Sequence, residues 1–240
     1  MSTFEYFELD FNSKFTEHEI DEVRKCKIFD TVQDFRKLVT NFYNTKLGYK
    51  IKGDRIYFED FDVLTSMFGS VEQSKNVNAY DAVNNKITQL DVFLTLAKLN
   101  SKKSEPINKF WSRSYYEIVL YVLSSIKDML YQYVNIYQKL EVRQGTGFNK
   151  EVSKRAKKET RKKLDFVFNN FCTDFYRNGF THKENLFTNS KNKVEIENHS
   201  MWILKGEDPT INDVQVLEED INKDINLLYD SYKSVLKELK

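Results

Sequence analysis

The chain has 240 residues, and 37 Lys+Arg against 36 Asp+Glu leave it a formal charge of +1. Only 7 Gly and 2 Pro occur, too few for the many turns of an all-β sandwich or barrel, while 40% hydrophobic and 15% aromatic residues exclude a disordered chain. The longest apolar run is far short of the roughly 18 residues of a membrane span, and Met1-Ser2-Thr3-Phe4-Glu5 shows no secretory signal pattern. Cys26 and Cys172 make no disulfide framework and fit a reducing cytoplasm. His18, His182 and His199 are far apart, and neither cysteine has a ligand at zinc spacing, so no metal site and no cofactor are expected.

Taken in chain order, Thr3 to Phe11 alternates loosely and predicts a strand. Thr16 to Lys46 reads as helix in two pieces, with Ile20, Val23, Ile28, Val32, Phe35, Val39 and Phe42 at three- and four-residue steps. Tyr49 to Phe58 predicts a hairpin turning at Gly53-Asp54. A short helix is expected over Phe61 to Ser74 and a better one over Asn78 to Leu99. The polar stretch Asn100 to Pro106 is the best candidate boundary, dividing an N-terminal α-rich region (1–105) from a helical bundle (106–240).

Beyond it, Phe110 to Leu140 predicts a helix of about 30 residues, about 45 Å long. Gly145-Thr146-Gly147 turns the chain; no Gly-Lys-Ser/Thr follows, so it is an interhelical turn and not a phosphate loop. A second long helix is expected from about Lys150 to Asn178, antiparallel to the first. Val194–Ile196 and Met201–Leu204 predict a hairpin around Asn198-His199, and Val214 to Leu239 a third long helix. The expected fold class is mainly α: a C-terminal up-and-down helical bundle with an N-terminal α-rich region carrying short strands and hairpins.

One segment combines chemistry-bearing residues at an uncommon spacing: Arg177-Asn178-Gly179-Phe180-Thr181-His182. On an unbroken helix, residues five apart are about 140° out of phase. Gly179 predicts a helix end, and Thr181 with Glu184 has capping-box spacing for a new start. A kinked junction would aim Arg177 and His182 into one cleft, with the negative end of the long helix raising the pKa of the imidazole. The bland alternative is an arginine held by a nearby carboxylate such as Asp174, and a histidine with a structural hydrogen bond.

Arg-polar-x3-His at the end of a long bundle helix resembles the HEPN superfamily, over about residues 107 to 240; residues 1 to 105 match nothing in it. The resemblance implies a metal-independent endoribonuclease of prokaryotic toxin–antitoxin, stress or phage-defence systems. It also implies a homodimer with the cleft at its interface, and an antitoxin or regulatory protein as possible partner. Arg177 would contact the scissile phosphate, His182 would exchange protons with the ribose 2′-OH or the leaving oxygen, and Asn178 would orient either. One toxin branch has a modifiable Tyr two positions after the His; here Glu184 stands there, so that modification is not expected. The alternative function is a non-catalytic HEPN-like module binding nucleotide, RNA or protein.

A second signal lies upstream. Lys150 to Lys163 holds eight basic residues, among them Lys154, Arg155, Lys157, Lys158, Arg161 and Lys162, against Glu151 and Glu159. Such a run in a near-neutral chain suits an RNA backbone. It suits equally a solvated helix end paired with the acidic segment 206–240, which has nine acids and four bases.

Overall fold

A computed structural model of the chain describes residues 15–46, 49–52, 55–58, 71–103, 106–174, 193–196, 199–202 and 211–239. Among them are seven helices: α1 (Glu17–Arg24), α2 (Lys27–Lys46), α3 (Val71–Ser101), α4 (Pro106–Tyr137), α5 (Phe148–Arg155), α6 (Lys158–Asn170) and α7 (Ile211–Glu238). The two-piece helix expected over 16–46 is α1 and α2. Thr16 caps α1 reciprocally with Glu19: the Thr16 hydroxyl accepts the Glu19 N–H at 3.2 Å, and the Glu19 carboxylate accepts the Thr16 N–H at 2.8 Å.

The central unit is the antiparallel pair α3–α4. Ser112 donates to the Ala97 carbonyl at 3.0 Å near one end, and Tyr133 to the Ala79 carbonyl at 3.3 Å near the other. Helix α2 packs on α3 and α7, and α6 packs on α4 and α7. One hydrophobic core runs through all of them: Val32, Phe35 and Val39 of α2, Ile87 and Leu90 of α3, Leu123 and Ile126 of α4, Leu164 and Val167 of α6, and Ile221, Ile225 and Leu228 of α7. Rings interlock at its centre, with Phe35 and Tyr232 4.9 Å apart and Tyr43 and Tyr80 4.6 Å apart. Buried tyrosine hydroxyls need acceptors and find them on backbone carbonyls: Tyr131 on Leu164 at 3.1 Å and Tyr232 on Ile126 at 2.9 Å.

The expected fold class is therefore corrected. The sequence predicts a C-terminal bundle beside an N-terminal region carrying strands. The structure is a helical protein whose one core is built by helices from both parts of the chain. The reason is area. Helix α2 covers its apolar face against α3 and α7, and α3 covers its own against α2 and α4, whereas a four-residue ribbon buries little by itself. Two isolated antiparallel ribbons, β1 (Tyr49–Lys52) with β2 (Arg55–Phe58) and β3 (Lys193–Ile196) with β4 (His199–Trp202), pair only with one another among the described residues.

Three helix boundaries also differ. Residues 71–74, expected at the end of a separate helix, are the start of α3. The helix expected over Lys150 to Asn178 is two helices that fold back on each other, broken at Ala156-Lys157 and ended at Asn170. Side chains replace the helical hydrogen bonds lost at the break: the Lys157 N–H donates to the Gln138 side chain at 3.0 Å, and Arg161 donates to the Ser153 carbonyl at 2.7 Å. Residues 3–11 and 61–70 lie outside the described residues.

Candidate nucleic-acid interface and the anchor of the Arg177 segment

Arg177, Asn178 and His182 lie outside the described residues; the structure describes the turn that leads to them. Helix α6 stops at Asn170, and Phe171 is extended (φ −81°, ψ 104°). The single helix expected from Lys150 to Asn178 is thus interrupted at Phe171-Cys172, and the chain is helical again at Thr173-Asp174; the expected helix end at Gly179 lies outside the described residues.

Residues 171–174 are fastened from two sides. Asp224, fully buried on α7, accepts the Cys172 N–H at 2.9 Å and the Thr173 N–H at 2.7 Å through its two oxygens. Burial holds its carboxyl above the ordinary range, partly offset by those hydrogen bonds. From α4, the buried Lys127 ion-pairs with Asp174 and lies 4.5 Å over the Phe171 ring. Its charge is thereby neutralised inside the protein. The Asp174 carboxylate thus has one oxygen on Lys127, while Oδ1 is buried and unpartnered among the described residues. Burial and the neighbouring Asp224 raise the Cys172 thiol, which disfavours a thiolate nucleophile.

The anchor was legible in principle. Asp224 falls on the apolar stripe Leu217, Ile221, Ile225, Leu228, and Lys127 beside Leu123, Ile126 and Leu130. A charge on a buried stripe is a sign of an internal partner. Counting Asp224 only as one of the nine acids of segment 206–240 hid it.

The basic run divides. Lys154 and Arg155 meet Glu151 at 3.8 and 2.9 Å, and Lys162 meets Glu159 at 2.9 Å. Lys163 donates to the Ser234 carbonyl at 3.1 Å and pairs with Glu238 of α7. Lys157 and Lys158 are exposed and make no ion pair among the described residues. Pairing with the acidic C-terminal segment therefore accounts for Lys163. The local pairs at Lys154, Arg155 and Lys162 are exposed and weak, leaving those side chains available to a polyanion.

Two further polar clusters are internal braces. Lys98 donates to Glu218 at 2.8 Å and the Tyr116 hydroxyl bonds the same carboxylate. Burial, then the Glu218 charge, pushes the Tyr116 hydroxyl pKa far up, so it stays protonated. Asp91 collects Arg24 at 3.2 Å, Gln33 at 3.3 Å and Arg36 at 3.8 Å, tying α1 and α2 to α3. Among the described residues no helix is long and apolar enough to cross a membrane, and no group of three His, Cys, Asp or Glu is placed to hold a metal ion. No protein-family model matches the chain, and neither a curated protein nor a solved structure does.

Proposed function

We propose that the protein is a HEPN-like, metal-independent endoribonuclease of a prokaryotic defence, toxin or stress system. The supporting observation is the junction of two features. The exposed cations of α5 and α6 lead along α6 into the turn that Asp224 and Lys127 fasten, and the Arg177–His182 sequence begins three residues later.

In this chemistry the 2′-oxygen of the substrate attacks the neighbouring phosphorus. The 2′-OH proton passes to an imidazole, the P–O5′ bond breaks, and a second imidazole protonates the leaving 5′-oxygen. The products are a 2′,3′-cyclic phosphate and a 5′-hydroxyl. His182 from each of two copies supplies the two imidazoles, and Arg177 stabilises the charge gathering on the phosphate. Asn178 orients one of them. Lys154, Arg155, Lys157, Lys158, Arg161 and Lys162 draw the RNA backbone in.

The attacking group belongs to the substrate and the proton carriers to the protein, so no metal-bound water is needed. Cleavage of single-stranded RNA is expected to persist in excess EDTA and to leave 2′,3′-cyclic phosphate ends or their opened product, read by mass spectrometry. Complete loss in EDTA, or 3′-hydroxyl ends from the first time point, refutes the mechanism. RNA bound and never cut would favour a non-catalytic binding module.

A further inference from the structure

Helix α5 does not continue outward from α6 as a rod. Asn149 at its start donates to Asp128 of α4 at 2.6 Å, and Arg155 at its end donates to the Leu140 carbonyl at 3.4 Å. Asp128 is the residue next to Lys127, which holds the turn leading to Arg177. The fold-back therefore brings the start of α5 to the same level of α4 as the anchored turn.

Beside α5 runs the connection from α4. Asn135 clamps it by donating to the Val142 carbonyl and accepting the Val142 N–H, both at 3.0 Å, and Val142 is buried. Glu141 takes a left-handed φ of 56°, a conformation a non-glycine residue holds only when its surroundings impose it. The clamp leaves Arg143 exposed on a fixed backbone. Between this stretch and α5 lies a cleft of about 580 Å³ whose charged wall is Arg143, Lys150, Lys154 and Arg155, with Glu141 and Glu151. Glu151 is already occupied by Lys154 and Arg155. Arg143 and Lys150 are exposed and have no ion pair among the described residues. With Lys154 and Arg155 on Glu151, the cleft leaves Arg143 and Lys150 against Glu141 alone, and an arginine fork with a lysine point charge on one cleft suits a phosphate better than a neutral or cationic ligand.

We propose that this cleft is a phosphate subsite for the RNA backbone, with Arg143 and Lys150 as the principal contacts. The proposal rests on the ribonuclease reading for its substrate and adds a binding position between α5 and the connection from α4.

The test uses the full chain and a labelled single-stranded oligonucleotide made wholly of 2′-O-methyl nucleotides, which 2′-OH attack cannot cut. Fluorescence anisotropy is read for the wild type, the Arg143→Ala/Lys150→Ala double variant and a Lys27→Ala control on α2. The double variant is expected to bind about tenfold more weakly, with the slope of log K against log salt smaller by about 1.4, two contacts at about 0.7 each. The control is expected to match the wild type. Both replaced side chains are exposed, so an unchanged thermal melt is expected alongside. Equal affinity and equal slope in the double variant overturn the subsite, as does a wild type that does not bind. Inorganic pyrophosphate is the second probe: if its binding is lost in the double variant while the oligonucleotide binds as before, the cleft holds a free phosphate compound and the RNA assignment is overturned. A wild type that binds through Arg143 and Lys150 yet leaves unmodified RNA intact keeps the subsite and overturns the cleavage reading alone.

Discussion

Alanine at His182 is expected to lower the rate of RNA cleavage by about 10³-fold, since a positioned proton carrier contributes about 10² to 10⁴. Arg177→Ala is expected to cost about 10² to 10³, the range found when one donor to a developing anion is removed. In the double variant the losses should fall well short of multiplying, because both residues act in one transition state. Stability should stay within about 1 kcal/mol of the wild type in all three. Charge reversal at Lys157 and Lys158 gives the contrast. It should weaken RNA binding and flatten its salt dependence, while cleavage at saturating RNA stays largely intact. A His182→Ala protein that cleaves as the wild type does would remove this residue from the chemistry. One that fails to fold would assign it a structural role instead.

Asp224→Ala is expected to lower the free energy of unfolding by about 3 kcal/mol, read from urea denaturation. The carboxylate is fully buried and is the acceptor for two backbone N–H groups, at Cys172 and Thr173. Its removal orphans both, the Thr173 N–H in a buried place and the Cys172 N–H in a half-buried one. Asn at 224 keeps one acceptor and should cost about half as much. The pH dependence gives a second readout. Burial raises the folded-state pKa of Asp224 above its unfolded value, so its protonated form is favoured by folding. That contribution is present below the unfolded pKa and is lost as pH rises through the folded one. Asp224→Asn should abolish that part of the slope. An Asp224→Ala protein as stable as the wild type would mean that the turn is not held by this carboxylate. Should RNA cleavage fall in Asp224→Asn while the protein remains folded, the turn at 171–174 also positions the segment beyond it.

The buried set of the basic region shows what a linear pattern conceals. Val152, Ala156, Thr160, Leu164, Val167 and Phe171 are buried and follow one another at four- and three-residue steps. They read as one unbroken helical stripe, yet the chain turns back at Ala156-Lys157. Periodicity reports which side of a segment is apolar; it is blind to a turn that resumes in the same phase. No glycine or proline marks this one, because the Gln138 side chain and Arg161 supply the hydrogen bonds. The same blindness hid the interruption after Asn170, beyond which the chain is helical again at Thr173-Asp174. Asp224, on another helix and about 50 residues away in sequence, accepts the Cys172 and Thr173 N–H groups that the interruption leaves without helical partners.

The sequence by itself determined the helical character of the chain, because apolar residues three and four apart specify a buried helix face wherever they recur. It determined the split of residues 16–46 into two helices and the concentration of positive charge at 150–163, but not the antiparallel pairing, which is expected between 110–140 and 150–178 and is found between α3 and α4. Tertiary structure alone decided that the N-terminal helices complete the same core, since the need to cover an apolar face does not say which partner covers it. It alone decided which charges are inside: the buried Lys127 and Asp224 differ from the exposed Lys157 and Lys158 in what is packed over them, and no residue type announces it. Burial makes Lys127 and Asp224, with the half-buried Asp174, a clamp on the chain, and solvent leaves the other two open to an anion.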